Sequence, residues 1–294
     1  MTIHLHEDIH YPDASFPYAM YTITPQDVTP KGRGFNDLHW HDELQFTLVM
    51  DGRIGMRVNG IDHIMESGEA IFINKGALHI TEQLRPNSHY VTFNFPEKLL
   101  AFYADSSMEN HYVLPFTNSL LISLVFKQDV EWQRHIIETL RDLKKIFEMG
   151  KYWGWEYEVS LKTAQLWFIM ISNVSLSAEE SSKSFKKQQE RMQLMVSYIH
   201  QNYTDPITLQ TIAAAAHLSA SECNRSFKRT INMTAYDYLI HYRIKRSCEL
   251  LMTTDYTITE VARMVGFNHV NHFIQSFKKH YGITPMKYRK RVEP

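Results

Sequence analysis

An internal repeat in residues 208–289 constrains the fold more than any other feature of the chain. The segment "TLQTIAAAAHLSASECNRSFKRTINMTAYDYL" (208–239) aligns with "TITEVARMVGFNHVNHFIQSFKKHYGITPMKYR" (257–289), with one residue inserted in the second copy. Residues of similar character occupy equivalent positions: Leu209 and Ile258, Ile212 and Val261, Ala213 and Ala262, Leu218 and Phe267, Cys223 and Phe273, Phe227 and Phe277.

Each copy predicts a helix, a tight turn and a second helix. Gly266 suits the left-handed conformation that ends the first helix of the second copy. Ser219 and Asn268 are suitable N-caps for the helices that follow. Thr284 and Pro285 predict the start of a further helix, with proline in its first turn. The chain is therefore expected to contain a duplicated helix-turn-helix, with one long helix between the copies.

The charge of the chain is divided unequally between its two parts. Residues 186–294 hold 16 Lys and Arg against 8 Asp and Glu, whereas the first 185 residues hold 15 against 24. A basic part with a balance of +8 is attracted to polyanions, and an acidic part with a balance of −9 is not. Two outward-facing helices rich in Ser, Asn, Gln, Arg and Lys can enter successive major grooves of double-stranded DNA, about 34 Å apart. A plain helical bundle with solvated basic faces is the alternative.

The second copy also resembles a known family signature. It is similar to the signature of the AraC/XylS family of bacterial transcription regulators at Ala262, at Gly266-Phe267 and at the "GITP" that ends at Pro285. The resemblance covers residues 188–291. The first copy departs from it, because Asn232 stands for Gly282 and Ala235 for Pro285. Asparagine tolerates the left-handed conformation, so the same fold is expected there.

The resemblance implies which residues face DNA in the second helix of each copy, the recognition helix. They are Ser221, Asn224, Arg225 and Lys228 in the first copy and Asn271, His272, Gln275, Lys278 and Lys279 in the second. Arg225 is expected to pair with guanine, and Asn224 or Gln275 with adenine. The lysines are expected to contact phosphate.

The acidic part predicts β structure over residues 16–95. Turn pairs at Asp51-Gly52, Asn59-Gly60, Ser67-Gly68 and Lys75-Gly76 separate short alternating runs, which is typical of hairpins in a small barrel or sandwich. Residues 97–176 then switch to helical periodicity. The two predicted helices either cover the open end of a barrel or form a dimer contact.

One strand of this part carries polar residues that point to a binding site. In "HWHDELQFTLVMDG" (39–52), His39, His41, Glu43 and Gln45 share one face by the two-residue period. With His79, they resemble the two motifs of the cupin barrel, in which two histidines, an acid and a third histidine hold a metal. Here Gln45 occupies the position of the acid, and Asn74 that of a proline.

Three interpretations of these histidines stay open. An octahedral iron or manganese site favours a carboxylate, for which Gln45 is a weak substitute, so a metal-free effector pocket is the expected one. A metal site of His39, His41 and His79 is the second, and hydrogen-bonded core histidines are the third. The expected effector-binding residues are His39, His41, Glu43, Gln45, Arg57 and His79. Such a pocket suits a polyhydroxy ligand, and the AraC/XylS resemblance implies sugar-type effectors.

The sequence as a whole predicts two domains. A cupin-like β-barrel followed by helices occupies residues 1–176 and binds the effector, residues 177–187 form a linker, and an all-α double helix-turn-helix occupies residues 188–294. We expect a sequence-specific transcription activator, a homodimer, with DNA, a sugar, and RNA polymerase as partners and no cofactor. The alternative is a metal-dependent cupin enzyme or a metal sensor tethered to a DNA-binding module. Gln45 and the absence of a nucleophile–base spacing argue against an enzyme.

The remaining features bear on the compartment. No apolar run approaches the roughly 18 residues that a membrane span needs. The N-terminal "MTIHLHEDIH" is acidic and histidine-rich, unlike a signal peptide. Cys223 and Cys248 have no partner spacing, which is typical of a reducing compartment. A cytoplasmic protein with no membrane association is expected.

Overall fold

In a computed structural model of the chain, residues 6–176 and 182–292 are described. They form two compact units, His6–Gln189 and a second one that begins at Glu190. Of the predicted linker, residues 177–181 lie outside the described residues. The residues that follow belong to a helix, Ser182–Asn202.

Antiparallel strands form the basis of the first unit. In chain order they are β1 (Ala19–Ile23), β2 (Val28–Thr29), β3 (Leu44–Asp51), β4 (Arg53–Val58), β5 (Ile61–Glu66), β6 (Ala70–Ile73), β7 (His79–Gln83), β8 (His89–Phe95) and β9 (Ser123–Phe126). A six-stranded sheet has the order β2-β1-β8-β3-β6-β9, and a three-stranded sheet has the order β5-β4-β7.

The predicted turn pairs lie between these strands. Asp51-Gly52 joins β3 to β4, and Ser67-Gly68 lies between β5 and β6. At the turn between β4 and β5, Asn59 has a φ of 46° and Gly60 a φ of 90°. Two positive φ values in a two-residue loop match the strand twist of a hairpin, which is why Asn-Gly is favoured there.

The first unit has short helical segments before β9 and two long helices after it. They are α1 (Lys98–Ala101), a π-helical turn (Glu109–Val113), α2 (Leu114–Thr117), α3 (Glu131–Glu148) and α4 (Trp155–Asn173). The predicted apolar stripe of α3 is buried at Ile136, Ile137, Leu140, Leu143 and Ile146. No helix in the described residues combines the length and the apolar character needed to cross a bilayer.

The six-stranded sheet is covered on both faces. Along β3, Leu44, Phe46 and Leu48 share one hydrophobic core with α3 and α4. The opposite face, which includes Val49, packs against apolar residues of the three-stranded sheet. The two-residue period of a strand separates these two cores. The helices α3 and α4 therefore cover a face of the larger sheet, not the end of a barrel.

Among the described residues the two sheets do not close into a barrel. The register of β3 against β8 shifts between Val49 and Asp51, and the chain then passes into the smaller sheet. Among the described residues no strand of the six-stranded sheet pairs with a strand of the three-stranded sheet, whereas a closed barrel needs a continuous ladder. A single antiparallel bridge joins His39, which precedes β3, to His79, the first residue of β7. The cupin-like β part is thus a pair of facing sheets.

The second unit is helical. After α5 (Ser182–Asn202) come α6 (Leu209–Ala214), α7 (Ala220–Ile231), α8 (Ala235–Thr253), α9 (Ile258–Met264), α10 (Val270–Tyr281) and α11 (Pro285–Val292). The two copies of the repeat are α6–α7 and α9–α10, with α8 between them. A β-rich domain followed by an all-α double helix-turn-helix is the predicted fold class, and it is confirmed.

Local conformation is repeated between the two copies. The turns place His217 and Gly266 at φ values of 54° and 87°, and the helix C-caps place Asn232 and Gly282 at 59° and 72°. Asparagine thus replaces glycine in the left-handed conformation, as expected. Ser219 caps α7 through a hydrogen bond from the backbone N–H of Glu222. The prediction for Asn268 is wrong by one residue, because the N-cap of α10 is His269 and its side chain makes no capping bond.

Candidate effector pocket and nucleic-acid interface

Backbone pairing brings three predicted site histidines together. The N–H of His39 donates to the carbonyl of His79 at 3.0 Å, and the N–H of His79 donates to the carbonyl of His39 at 2.8 Å. Residues opposite each other on such a bridge project to the same face. Two residues further on, His41 has its ring centroid 5.2 Å from that of His79, and the rings of His39 and His79 are 4.2 Å apart. All three histidines are buried.

Each ring has its Nδ1 atom beside a backbone carbonyl. Nδ1 lies 2.7 Å from the Asp37 carbonyl in His39, 3.1 Å from the Glu43 carbonyl in His41 and 2.8 Å from the Ala77 carbonyl in His79. In His41 a second acceptor, Gln45 Oε1, lies 2.9 Å from Nε2 and competes for the proton. A carbonyl oxygen only accepts, so Nδ1 of His79 carries a proton and donates it. In a neutral imidazole the Nε2 atom then holds a lone pair.

Burial keeps two of these rings, those of His41 and His79, neutral. It holds the pKa of His79 well below its ordinary value, and the neighbouring His39 and His41 lower it further. Burial also lowers the pKa of His41, although a hydrogen bond with Gln45 opposes this effect. Both rings are therefore uncharged at neutral pH.

A polar cavity lies beside the histidines, between the sheets. It is lined by Glu7, Tyr21, Arg33, His39, Gln45, His79, Thr81, Tyr90, Thr92 and Asn94. About 20 Å³ of it is open to the centres of water molecules, and a single water needs about 10–15 Å³ by that measure. The cavity as it stands therefore has room for about one water molecule, and is too small for a sugar ring.

The other predicted effector residues lie further out. Glu43 Oε1 accepts a hydrogen bond of 2.6 Å from the Tyr11 hydroxyl, and a second oxygen of Glu43 is 3.7 Å from His41 Nδ1. Arg57 is not brought to the cavity. Its guanidinium donates to both carboxylate oxygens of Asp62, at 2.6 and 2.7 Å, on the face of β4 opposite the buried Met56.

Glu7 is a cavity residue that the sequence did not indicate. Its backbone N–H donates to the Trp40 carbonyl at 2.9 Å, and its Oε2 is 3.3 Å from His39 Nε2. Burial raises the pKa of Glu7 to about 7. No local pattern links residue 7 to residue 39, because their proximity depends on pairing between distant segments.

The recognition helices α7 and α10 present matching exposed faces. Ser221, Arg225 and Lys228 follow a spacing of four and three residues along α7, and all three are exposed. Fifty positions later, Asn271, Gln275 and Lys278 are exposed on α10 in the same spacing, with His272 and Lys279 beside them. Residues at this spacing share one face of a helix. Opposite faces carry the buried Phe227 and Phe277.

Asn224 differs from the other predicted DNA-facing residues. Its Oδ1 accepts a hydrogen bond of 3.1 Å from the backbone N–H of Ala235, the first residue of α8. The equivalent position in the second copy is Ile274, which packs against the core of that copy. The structure thus gives the carbonyl end of the Asn224 side chain a role in holding two helices together.

Comparison with known proteins agrees with both halves of this description. A family model described as an AraC-like ligand binding domain matches residues 21–149, and one described as a helix-turn-helix domain matches residues 212–291. An uncharacterized HTH-type transcriptional regulator of Bacillus subtilis, YdeC, is 30% identical over 276 residues, which cover 93% of this chain and 92% of that protein. The melibiose operon regulatory protein of Escherichia coli is 26% identical over 274 residues, 86% of this chain and 83% of that protein. The lactose operon transcription activator of Staphylococcus xylosus is 29% identical over 100 residues, 34% of this chain and 36% of that protein.

The matches to a ligand-binding domain and to a helix-turn-helix domain define the class of the protein. It is a DNA-binding transcription regulator with a ligand-binding domain. The chain belongs to the AraC family of transcription regulators. The resemblance found in residues 188–291 is confirmed, and it extends to the β domain.

Proposed function

We propose that the chain is a transcription activator of carbohydrate-use genes, controlled by a sugar that binds between the two sheets. The observation that carries this proposal is a buried polar cavity with an aromatic wall, Tyr21 and Tyr90, in the same chain as two exposed recognition helices. The melibiose regulatory protein, similar over most of its length, supports a sugar as effector. The lactose operon activator supports activation as the mode.

Entry of a sugar would require the segment around Glu7 to move. This segment is held by the bond from Glu7 N–H to Trp40, by a 3.1 Å bond from the Arg33 N–H to Glu7 Oε1, and by a 3.0 Å contact between His6 and Asp42. A sugar that replaces these contacts binds one arrangement of the segment better than the other. Such a difference in affinity is what links effector binding to DNA binding.

The proposal is tested by measuring the DNA affinity of the full chain with a panel of sugars, melibiose included. One sugar is expected to change the affinity about 5-fold to 150-fold, the usual range of coupling between two sites. Asn94→Ala, which removes a polar group from the cavity, is expected to abolish this response. Arg57→Ala is the matched control and should retain it, because Arg57 lies outside the cavity. Unchanged affinity with every sugar would contradict the proposal.

We further propose that the DNA contacts are made by Ser221, Arg225 and Lys228 of α7 and by Asn271, His272, Gln275, Lys278 and Lys279 of α10. Exposure on one face of each helix supports these assignments. Arg225 and Gln275 occupy equivalent central positions, where a side chain reaches base edges. The lysines lie in the last turn of each helix, where they suit phosphate.

A second copy of the chain is the proposed partner of α4. Tyr157, Leu161 and Phe168 are 79%, 66% and 63% exposed, and with Ala164 they form a stripe spaced four, three and four residues apart. This spacing is that of a coiled-coil seam. Because the stripe is nearly symmetric about its centre, two copies can pair it antiparallel about a two-fold axis perpendicular to α4, with the same patch used by both copies.

Leu161→Glu is expected to shift the chain from dimer to monomer, since it places charges in the centre of the seam. Sedimentation equilibrium measures the change. Gln165→Glu adds the same charge to an exposed position of α4 beside the stripe and is expected to weaken the dimer less. A wild-type chain that sediments as a monomer at all concentrations would contradict the proposal.

A further inference from the structure

A second cavity lies on the helix-covered face of the six-stranded sheet, away from the polar cavity. Its volume is about 160 Å³, against about 20 Å³ for the polar one. The segment before β1, the end of α3, the loop after it and the start of α4 form its walls. Tyr18 lines this cavity and packs in the core of α3 and α4, whereas Tyr21 lines the polar cavity and packs in the core between the sheets. The two cavities therefore belong to opposite faces of one sheet.

Four aromatic rings wall the interior of this second cavity: Phe16, Tyr18, Phe147 and Trp155. The Trp155 ring centroid is 5.0 Å from that of Phe147 and 5.5 Å from that of Phe16, with interplanar angles of 74° and 73°. Aromatic pairs favour such edge-to-face arrangements, and a flat ring inserted among them meets faces and edges alike. An apolar cavity of about 150 Å³ in another protein binds benzene, so the space here suits a six-membered ring.

The polar groups of these rings are engaged by the protein itself. Trp155 Nε1 donates a hydrogen bond of 3.3 Å to the Ile146 carbonyl. The hydroxyl groups of Tyr18 and Thr163 share a hydrogen bond of 3.1 Å. A polar group deep in the cavity would lose its bonds to water without finding a new partner among the rings, which is costly. The part of a ligand that enters must therefore be apolar.

The mouth of the cavity carries charges of both signs. Lys151 Nζ donates to Asp13 Oδ2 at 2.7 Å, and the side chains of Lys151 and Asp13 are 48% and 34% exposed. The hydrogen bond from Lys151 lowers the pKa of Asp13, so the carboxylate is charged at neutral pH. Lys151 Nζ also lies 3.7 Å from Glu156 Oε1 and 5.3 Å from the centroid of the Trp155 ring.

From these observations we propose that this cavity binds a small phenol, with the ring among the aromatic side chains and the hydroxyl at the pair of Asp13 and Lys151. A hydroxyl group both donates and accepts, so it matches a carboxylate acceptor beside an ammonium donor. A ligand carboxylate in its place would be repelled by Asp13 and Glu156. A ligand cation would compete with the Lys151 ammonium, which already lies over the Trp155 ring.

The test is phenol binding by the full chain, measured by saturation-transfer NMR titration without sugar and without DNA. A dissociation constant of about 0.1–1 mM is expected, which lies within the limits for so small a ligand. Benzoate and benzylammonium, which carry a negative and a positive charge on a similar ring, are expected to bind about tenfold more weakly or less. Phe16→Trp puts a larger ring into the cavity and should weaken phenol binding about tenfold or more. Lys151→Met removes the donor at the mouth and should weaken it about tenfold.

Each variant has a matched control. Phe116→Trp makes the same change at another half-buried phenylalanine of this core, beside Trp167, and should bind phenol as the wild type does. Lys145→Met removes an exposed lysine of α3 outside the cavity and should also have no effect. Circular dichroism establishes that the variants fold, and Lys151→Met, changed at a half-exposed side chain, serves if Phe16→Trp does not.

Three results would overturn the inference. They are no phenol binding by the wild type at 10 mM or about ten times the upper expected constant, undiminished binding by the folded variants Phe16→Trp and Lys151→Met, and tighter binding of benzoate than of phenol. Asn94→Ala, which alters the polar cavity, should bind phenol as the wild type does. The outcome is therefore independent of the proposed sugar response.

Discussion

Gly266→Ala is expected to destabilise the helical unit by about 2–5 kcal/mol. Gly266 has a φ of +87°, and a Cβ atom there would lie 2.4 Å from the backbone oxygen of Tyr203 and 2.9 Å from Arg243 Cζ. The left-handed conformation costs about 1–2 kcal/mol for alanine, and overpacking costs typically 1–3 kcal/mol more.

The neighbours of Gly266 cannot withdraw easily. Arg243 is buried, and its Nε donates to the Tyr203 carbonyl at 2.7 Å while its Nη2 donates to the Asp205 carbonyl at 2.8 Å. Moving the guanidinium away from a new methyl group would break these bonds. The turn of the second copy is therefore held against the segment that precedes the first copy.

Urea unfolding of the full chain, followed by circular dichroism, measures the change. Gly282→Ala is the matched control, because Gly282 has a similar φ of +72° but a Cβ there would meet nothing within 4 Å. The control should lose only the conformational cost, about 1–2 kcal/mol. Equal losses in the two variants would show that the contact with Tyr203 and Arg243 does not matter.

The double variant Arg225→Ala, Gln275→Ala is expected to lose about 2–6 kcal/mol of specific DNA-binding free energy. Each base-contacting side chain contributes about 1–3 kcal/mol, and effects at separate base pairs are roughly additive. Each single variant should relax sequence preference at its own position, and the two positions should lie about one helical turn apart.

Affinity is measured by fluorescence anisotropy at fixed salt, on a site selected from random DNA with the wild-type chain, since phosphate contacts make binding steeply salt-dependent. Lys98→Ala removes one exposed positive charge from the first unit and serves as the control, with little change expected. If the double variant lost affinity equally for the selected site and for random DNA, Arg225 and Gln275 would contact phosphate and not bases.

Much of the helical unit was predictable because its structure is set locally and then repeated. Capping at Ser219 and the left-handed conformations at Asn232 and Gly266 follow from residue type and position. The hydrogen bond of Asn224 could not be predicted from residue type alone. Asparagine suits an exposed position that faces DNA as well as a position that accepts a hydrogen bond from the N–H of Ala235. Its equivalent in the repeat, Ile274, was the available signal.

The β unit was less predictable because its site depends on long-range pairing. The two-residue period of a strand correctly placed His39, His41 and Gln45 on one face. In the structure the bridge between His39 and His79 brings this strand motif next to the second motif. Arg57 was predicted on the wrong face, although alternation with the apolar Met56 and Val58 indicated an outward side chain. The contribution of Glu7 and the separation into two sheets depend on contacts that no local pattern specifies.

The central claim is that one chain reads DNA with two recognition helices. Methylation-protection footprinting of the full chain on its selected site tests this most directly. We expect two protected major-groove segments per chain, centred about one helical turn apart, with Gln275→Ala losing protection in one and Arg225→Ala in the other. A single protected segment per chain, lost in both variants alike, would contradict the claim.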